Sequence, residues 1–447
     1  MSLTQTTTSW IEPFDTAADD LPGRELPWVV EMRAAARDRF RTLGWPTRRF
    51  EEWRYTDVSP IARAAFSPAR GGAPARGEVE TALARLPGGG KFHRLVFVDG
   101  VLVRPLTILH DLPAGVRVLS LVEALTEIPD VVQAHLGQYA LYESNAVTAL
   151  NTAFWRDGVV IHVPRGVALE RPIEAIYLAT SGAGASAAHV RNLVVCEESA
   201  RVDLVEVWHA AHAGAYFNNV TTEVVAAPNA SVRHVRVQEE GKSAHHIGNT
   251  RFHARRDARV SSFVITTGGA TSRNDLEFTL AEPGASCELN GLYVLNGRQK
   301  ADNYTLVDHA SPQCKSSEFY KGVLDGVSEG SFTGRVVVRQ DAQQTDAEQS
   351  NRNLLLSDDA RVNTRPQLEI YADDVKCSHG ATSGQLDRHA LFYLRSRGID
   401  HIRARQILTR AFASEIIASI PIGPVRDHLL PVVEDRLCPG HLLEEGS

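Results

Sequence analysis

Cys377 and His379, in the segment DVKCSHGAT, have the clearest capacity for chemistry in this 447-residue chain. On a strand, residues two apart share a face, so a thiolate and an imidazole at this spacing can converge on one ion, and both suit iron or zinc. A tetrahedral iron or zinc site normally takes four ligands, so one Cys-x-His supplies half a set. The pair equally fits a buried cysteine beside a hydrogen-bonded histidine, and the spacing alone leaves both readings standing. Cys196, Cys287 and Cys314 fall in or beside expected strands, where cysteine more often packs as a small hydrophobe than reacts. His209 and His212 flank a turn, and His245 and His246 precede an expected strand, with no spacing that singles them out as ligands. The acidic pairs Asp358/Asp359 and Asp373/Asp374 offer a general acid and base to a polysaccharide-active β-helix enzyme. Each pair lies in an expected turn, however, where solvated Asp is the usual occupant. Residues 341–353, DAQQTDAEQSNRN, read as a long polar coil.

Other chemistry loses its main support. The chain has no GxxxxGK[ST] phosphate loop, no GxGxxG opening a helix after a strand, no HExxH, no CxxC and no GxSxG. If ATP drives the system in which this chain works, a partner hydrolyses it.

The elements that must hold Cys377 and His379 are mostly strands. Hydrophobic residues make up 43% and charged residues 23%, ordinary for a globular protein, and no run reaches the roughly 18 apolar residues of a membrane helix. A net charge of -7, from 47 Lys plus Arg against 54 Asp plus Glu, argues against a nucleic-acid coat. Five cysteines make no disulfide framework, and the start MSLTQTTTSW lacks a secretion pattern, so the reducing cytoplasm is the expected location. Residues 1–150 read as a mostly helical domain, with apolar residues at helical spacing over 27–40, a Gly/Pro/Arg-rich loop over 67–77 and a small β-hairpin turning at Asp99 and Gly100.

From 151 to 385 short runs of Val, Ile, Thr and Tyr alternate with polar turns, each turn followed by a small residue that opens the next strand. Those residues are Ala200, Ala230, Ala258, Ala285, Cys314, Ser331 and Ala360, spaced 30, 28, 27, 29, 17 and 29 apart, with Val375 at the next equivalent turn. Such recurrence suits a solenoid, in which each coil buries its apolar face against its neighbours. A β-helix is the expectation, with a β-sandwich or barrel as the alternative. Residues 386–447 return to helix: Asp387 and Asp400 stand at N-cap positions, Gly398 ends the first helix, and a third follows Pro421.

Three segments carry a family resemblance. The run TDAEQSNRNLLLSDDARVNTRPQLEIYADDVKCSHGATSGQLDRHALFYLRSRGI strongly resembles the C-terminal core of the SufB/SufD family, scaffold subunits of Suf iron-sulfur cluster assembly. LNTAFWRDGVVIHVPRGVALERPI resembles the opening of that core, and RRFEEWRYTDVSPI its N-terminal segment. Within the family the SufB type carries a cysteine in a sequence like FYCRQRG, where this chain has Leu394 in FYLRSRG; the SufD type carries the histidine of KCSHGAT, here His379.

The resemblance implies a right-handed parallel β-helix flanked by helices, and a non-catalytic subunit that pairs with SufB through its β-helix. It also implies that His379, with Cys377 nearby, contributes to a nascent cluster at that interface. The ATPase SufC would dock on the C-terminal helices, at Leu391, Leu394, Ile407, Leu408 and Phe412. No cofactor is then expected to be held tightly by the isolated chain; the cluster is transient and shared with SufB, and a flavin is an optional companion of the complex. A homodimer through the surface meant for SufB is a further state open to the isolated chain.

Overall fold

The computed structural model describes residues 3–69, 71, 76–180 and 185–437. Residues 70 and 72–75 of the Gly/Pro/Arg-rich loop and the fifth cysteine, Cys438, lie outside the described residues.

Each coil of the central region contributes one strand to each of two ten-stranded sheets, and a strand's hydrogen-bonded neighbours are the strands one coil before and after it. From Ile173–Ala179 to Val375–Gly384 all pairings are parallel, which defines a parallel β-solenoid and excludes the sandwich alternative.

The repeat has a backbone cause. In the second sheet the register Arg201↔Ser231↔Arg259↔Ser286↔Lys315 sets Ala200, Ala230, Ala258, Ala285 and Cys314 at one corner, each at most 1% exposed. The residue just before each corner is in the left-handed region: Ser199, Asn229, Asp257, Gly284 and Gln313 have φ between 57° and 74°. That turn swings the chain inward, and only a small side chain fits at the buried corner behind it. Val375 aligns with Thr345, and Gln344 repeats the left-handed turn at φ 60°.

Two expectations need correction. Ser331 is not a corner: it sits inside the strand Glu329–Val338 opposite Asn363, and the residue equivalent to Ala360 is Ser328. The two sheets carry separate corner series, and the half-step of 17 crossed from one to the other. Residues 341–353 are not a coil throughout, because from Thr345 they form the strand Thr345–Leu355, with Ala347, Gln349, Asn351 and Asn353 buried.

The hairpin of His93–Val98 and Val101–Leu102 turns at Asp99 (φ 51°) and Gly100 (φ 81°), as its sequence predicts. Its first strand also pairs in parallel with Ile173–Ala179, so the hairpin begins the second sheet, while Arg117–Ser120 runs antiparallel to Val159–Val163 and begins the first. The helix Ala146–Phe154, buried along its whole length and capped by the Asn145 side chain, joins aromatic residues of the N-terminal segment in a core against the first sheet.

At the other end of the sequence, the helix His401–Ile417 lies against the second sheet. Ala413, Ile416 and Ile417 pack there with Val235, Phe263 and Leu292.

Candidate functional site

Val375–Gly384 is the last strand of the second sheet. One edge pairs with Thr345–Leu355, and the other pairs with no strand among the described residues. Register extends its inward-facing side chains into two columns that run through successive coils. One consists of Cys287, Ser316, Ala347 and Cys377; the other consists of Leu289, Glu318, Gln349 and His379. Cys377 ends the first and packs, half-buried, on the central apolar core, whereas His379 ends the second and is exposed. The alternation expected for the pair therefore holds, and each member terminates a different interior environment.

These environments set the chemistry. Burial, reinforced by the neighbouring Asp346 carboxylate, pushes the Cys377 thiol above its ordinary value of 9.0, so at neutral pH it is protonated and not an activated nucleophile. Coordination to a metal would deprotonate it. Cys196, Cys287 and Cys314 are buried free thiols, with Cys196 pushed up to about 12 by burial, as packing residues would be. Among the described residues no three His, Cys, Asp or Glu side chains converge as a metal set.

The polar column was not singled out from sequence. Gln349 Nε2 donates to Glu318 Oε2 at 2.5 Å, and both side chains are buried. The available cue was alternation: Gln349 lies one coil before His379, in a segment whose polar residues disguised a strand.

Leu391, Leu394, Leu408 and Phe412 are half-buried, and Ile407 is exposed. Phe392 (74% exposed), Tyr393 and Ile402 (69%) extend this apolar surface and were missed as members of it. Ile402, Ile407, Leu408, Ala411, Phe412, Ile416 and Ile417 recur at i, i+3 and i+4 spacing, which predicts one apolar face; the helix instead buries Ala404, Thr409, Ala413, Ile416 and Ile417 and turns Ile402 and Ile407 outward. Asp387 and Asp400 cap the two helices, each side chain accepting a backbone N–H, at 2.8 Å from His389 and 3.0 Å from Arg403. Lys321 ties the second helix to the solenoid, donating to the Phe412 carbonyl at 2.7 Å and pairing with Glu415.

Elsewhere, His245 and His246 open the strand His245–Ala254, where buried His246 lies 2.8 Å from Glu240. His209 lies 3.9 Å from Glu239. Asp358, Asp359, Asp373 and Asp374 are exposed between strands.

Fold and open end together define a class, the helix-flanked parallel β-solenoid with a Cys-x-His on its terminal strand. Within that class, residues 177–412 match the SufBD core domain of SUF system FeS cluster assembly, and residues 4–175 match the SufBD protein N-terminal region. The chain belongs to the SufBD family of the Suf iron-sulfur cluster assembly system. It is 33% identical to a SufBD family iron-sulfur cluster assembly protein of Synechocystis, over 93% of this chain and 92% of that one. The iron-sulfur cluster assembly protein SufD of Escherichia coli is 30% identical over 88% of this chain and 90% of its own, and SufD of Bacillus subtilis 29% identical over 72% and 74%. No helix among the described residues is long and apolar enough to cross a membrane.

Proposed function

We propose that this chain is the SufD-type, non-catalytic scaffold subunit of a Suf complex, paired with SufB through the open end of its solenoid. The observation that carries the reading is the position of Cys377 and His379 on a terminal strand with a free edge. A second β-helix can continue the sheet there by main-chain pairing, which brings its own ligands beside these two. Half a ligand set on each chain makes a site that exists only in the pair, and an open, shared site suits a cluster that must be handed on. The cluster is cargo, and a flavin, if the complex carries one, belongs to the assembled state. The exposed Phe392, Ile402 and Ile407, with half-buried Leu391, Leu394, Leu408 and Phe412 on the same two helices, form the docking face for the ATPase SufC, since large apolar side chains left in solvent together favour a protein contact. ATP-driven movement of SufC then reaches the interface through the second helix, which Lys321 fastens to the solenoid. Free thiols suit the cytoplasm as the site of action. In isolation the same open end allows a homodimer.

The test is anaerobic reconstitution with SufB and SufC partners, comparing wild type with His379→Ala by visible absorbance and bound iron. The variant is expected to assemble and to lose cluster. Full cluster in the variant would leave this chain a docking subunit and return the chemistry to its partner.

A further inference from the structure

Gln349 is buried and in register one coil below His379, and Glu318 is in register one coil below Gln349. The Gln349 amide uses its Nε2 on Glu318, which leaves its Oε1 buried without a hydrogen-bond partner. A buried acceptor without a donor costs free energy, so the structure favours any state that supplies one. The next coil outward along this column is the last, and its residue at that register is His379. An imidazole N–H turned towards Gln349 would satisfy the carbonyl oxygen and leave the other ring nitrogen free to face outward. Metal-binding histidines are commonly fixed in tautomer and angle through a hydrogen bond on the second nitrogen.

We propose that Gln349 is a positioning residue for His379, and that Glu318, by setting which end of the Gln349 amide faces the last coil, sets which imidazole nitrogen faces the partner chain. With Glu318 ionised, the amide nitrogen is held by the carboxylate and the amide oxygen is presented to His379, which must then donate. With Glu318 protonated, its O–H can donate to the amide oxygen; the amide turns over, Nε2 faces the last coil, and the facing imidazole nitrogen must accept. The opposite tautomer then points outward.

The surroundings of Glu318 make both states accessible. No charged partner reaches it among the described residues, and burial lifts its carboxyl to about 7, with the Thr305 hydroxyl and then the Gln349 amide opposing. The titratable groups facing it are Cys287 on the preceding strand of the sheet and Tyr320 on its own, both held neutral by burial; from the first sheet it meets the hydroxyl of Thr305, and from the following strand Gln349.

The inference rests on the role given to His379 above, but its test does not use cluster. Nitrogen-15 imidazole spectra of the full-length chain report tautomer and titration midpoint for each histidine, with His379 identified by the resonance lost in His379→Ala. Wild type is expected to show one dominant His379 tautomer at pH 8 and a changed ratio at pH 6. Gln349→Leu should bring the ratio close to even at both pH values, the loss of a second-neighbour contact that fixes the tautomer. Glu318→Gln, which keeps shape and hydrogen-bonding capacity, should abolish the change with pH, and it decides the question if Gln349→Leu fails to fold. A wild-type ratio that neither folded variant alters would overturn the proposal. Because the readout is a ring tautomer, it is settled independently of whether His379→Ala loses cluster.

Discussion

The two ends of the solenoid are built differently. At the N-terminal end each sheet begins with an antiparallel strand, Val101–Leu102 in one and Arg117–Ser120 in the other, which breaks the parallel repeat. Helices cover the first sheet there, and the charges within are paired. Arg191 donates to Glu223 at 2.6 Å, and the same carboxylate accepts the backbone N–H groups of Gly137, Tyr139 and Ala140 at 2.8 to 2.9 Å. At the C-terminal end the last strands, Arg361–Ile370 and Val375–Gly384, contain no fully buried residue and lead into the helix Arg388–Ser396, which buries none either. A solenoid needs a cap at each end to satisfy backbone and cover its core. Among the described residues this chain makes one cap and not the other, and under the proposed pairing the second is what a partner brings.

If the closed end is the structural end, breaking it should cost most. Glu223→Ala strands the buried Arg191 guanidinium and three backbone donors together, and is expected to destabilise the fold by about 3–5 kcal/mol. Urea unfolding of the full chain measures this. A loss under about 1 kcal/mol would mean that the N-terminal cap is not the firm end of the molecule.

The next effect lies between the two ends. Glu318 is raised above its ordinary value of 4.5 to about 7 by burial, so the folded chain binds more protons than the unfolded one. The contribution of Glu318 to stability therefore falls as pH rises from about 4.5 to about 7 and levels off above that. Glu318→Gln removes the titration, and should be more stable than wild type at pH 8 by up to about 3 kcal/mol, with the difference fading towards pH 4.5. A difference that does not change with pH would show that Glu318 is ionised throughout, and would remove its part in orienting Gln349.

On the exposed helices the expected loss is in binding. Phe392→Asp puts a charge on a side chain that touches little of its own fold, so the chain should keep its thermal midpoint while its affinity for SufC falls about 10- to 100-fold, as for a central apolar contact. Unchanged affinity by calorimetry would move the docking face elsewhere.

How much of this was legible from sequence differs between the ends for physical reasons. The repeat was readable because five successive coils turn through a left-handed residue followed by a small one, a local requirement that leaves a local trace at Ala200, Ala230 and Ala258. The Asp99-Gly100 hairpin was readable for the same reason. Its pairing with Ile173–Ala179 was not, since a contact about eighty residues away leaves no pattern in either segment. Thr345–Leu355 was read as coil because its inward positions hold Gln349, Asn351 and Asn353, stabilised by amide hydrogen bonds where hydrophobic alternation would have marked a strand. Ile402 and Ile407 misled in the opposite direction, as apolar residues at helical spacing that the chain leaves in solvent. Cys377 and His379 could be found as a motif, but the separate columns beneath them depend on register, which only the folded solenoid supplies.

The smallest expected effect sharpens the comparison most. His379 is exposed on an edge strand, and its removal leaves no cavity and separates no ion pair, so His379→Ala should change the unfolding free energy of the isolated chain by less than about 0.5 kcal/mol. A residue that matters for folding cannot also be silent in this measurement. If His379→Ala proves neutral alone yet lowers cluster content in the complex, its contribution is made across the interface, as an unfinished end requires. If it destabilises the isolated chain by 2 kcal/mol or more, on the order of a lost buried contact, then the last coil is already complete within this chain. The terminal strand would then be a cap in its own right, and the difference between the two ends would shrink to one of exposure.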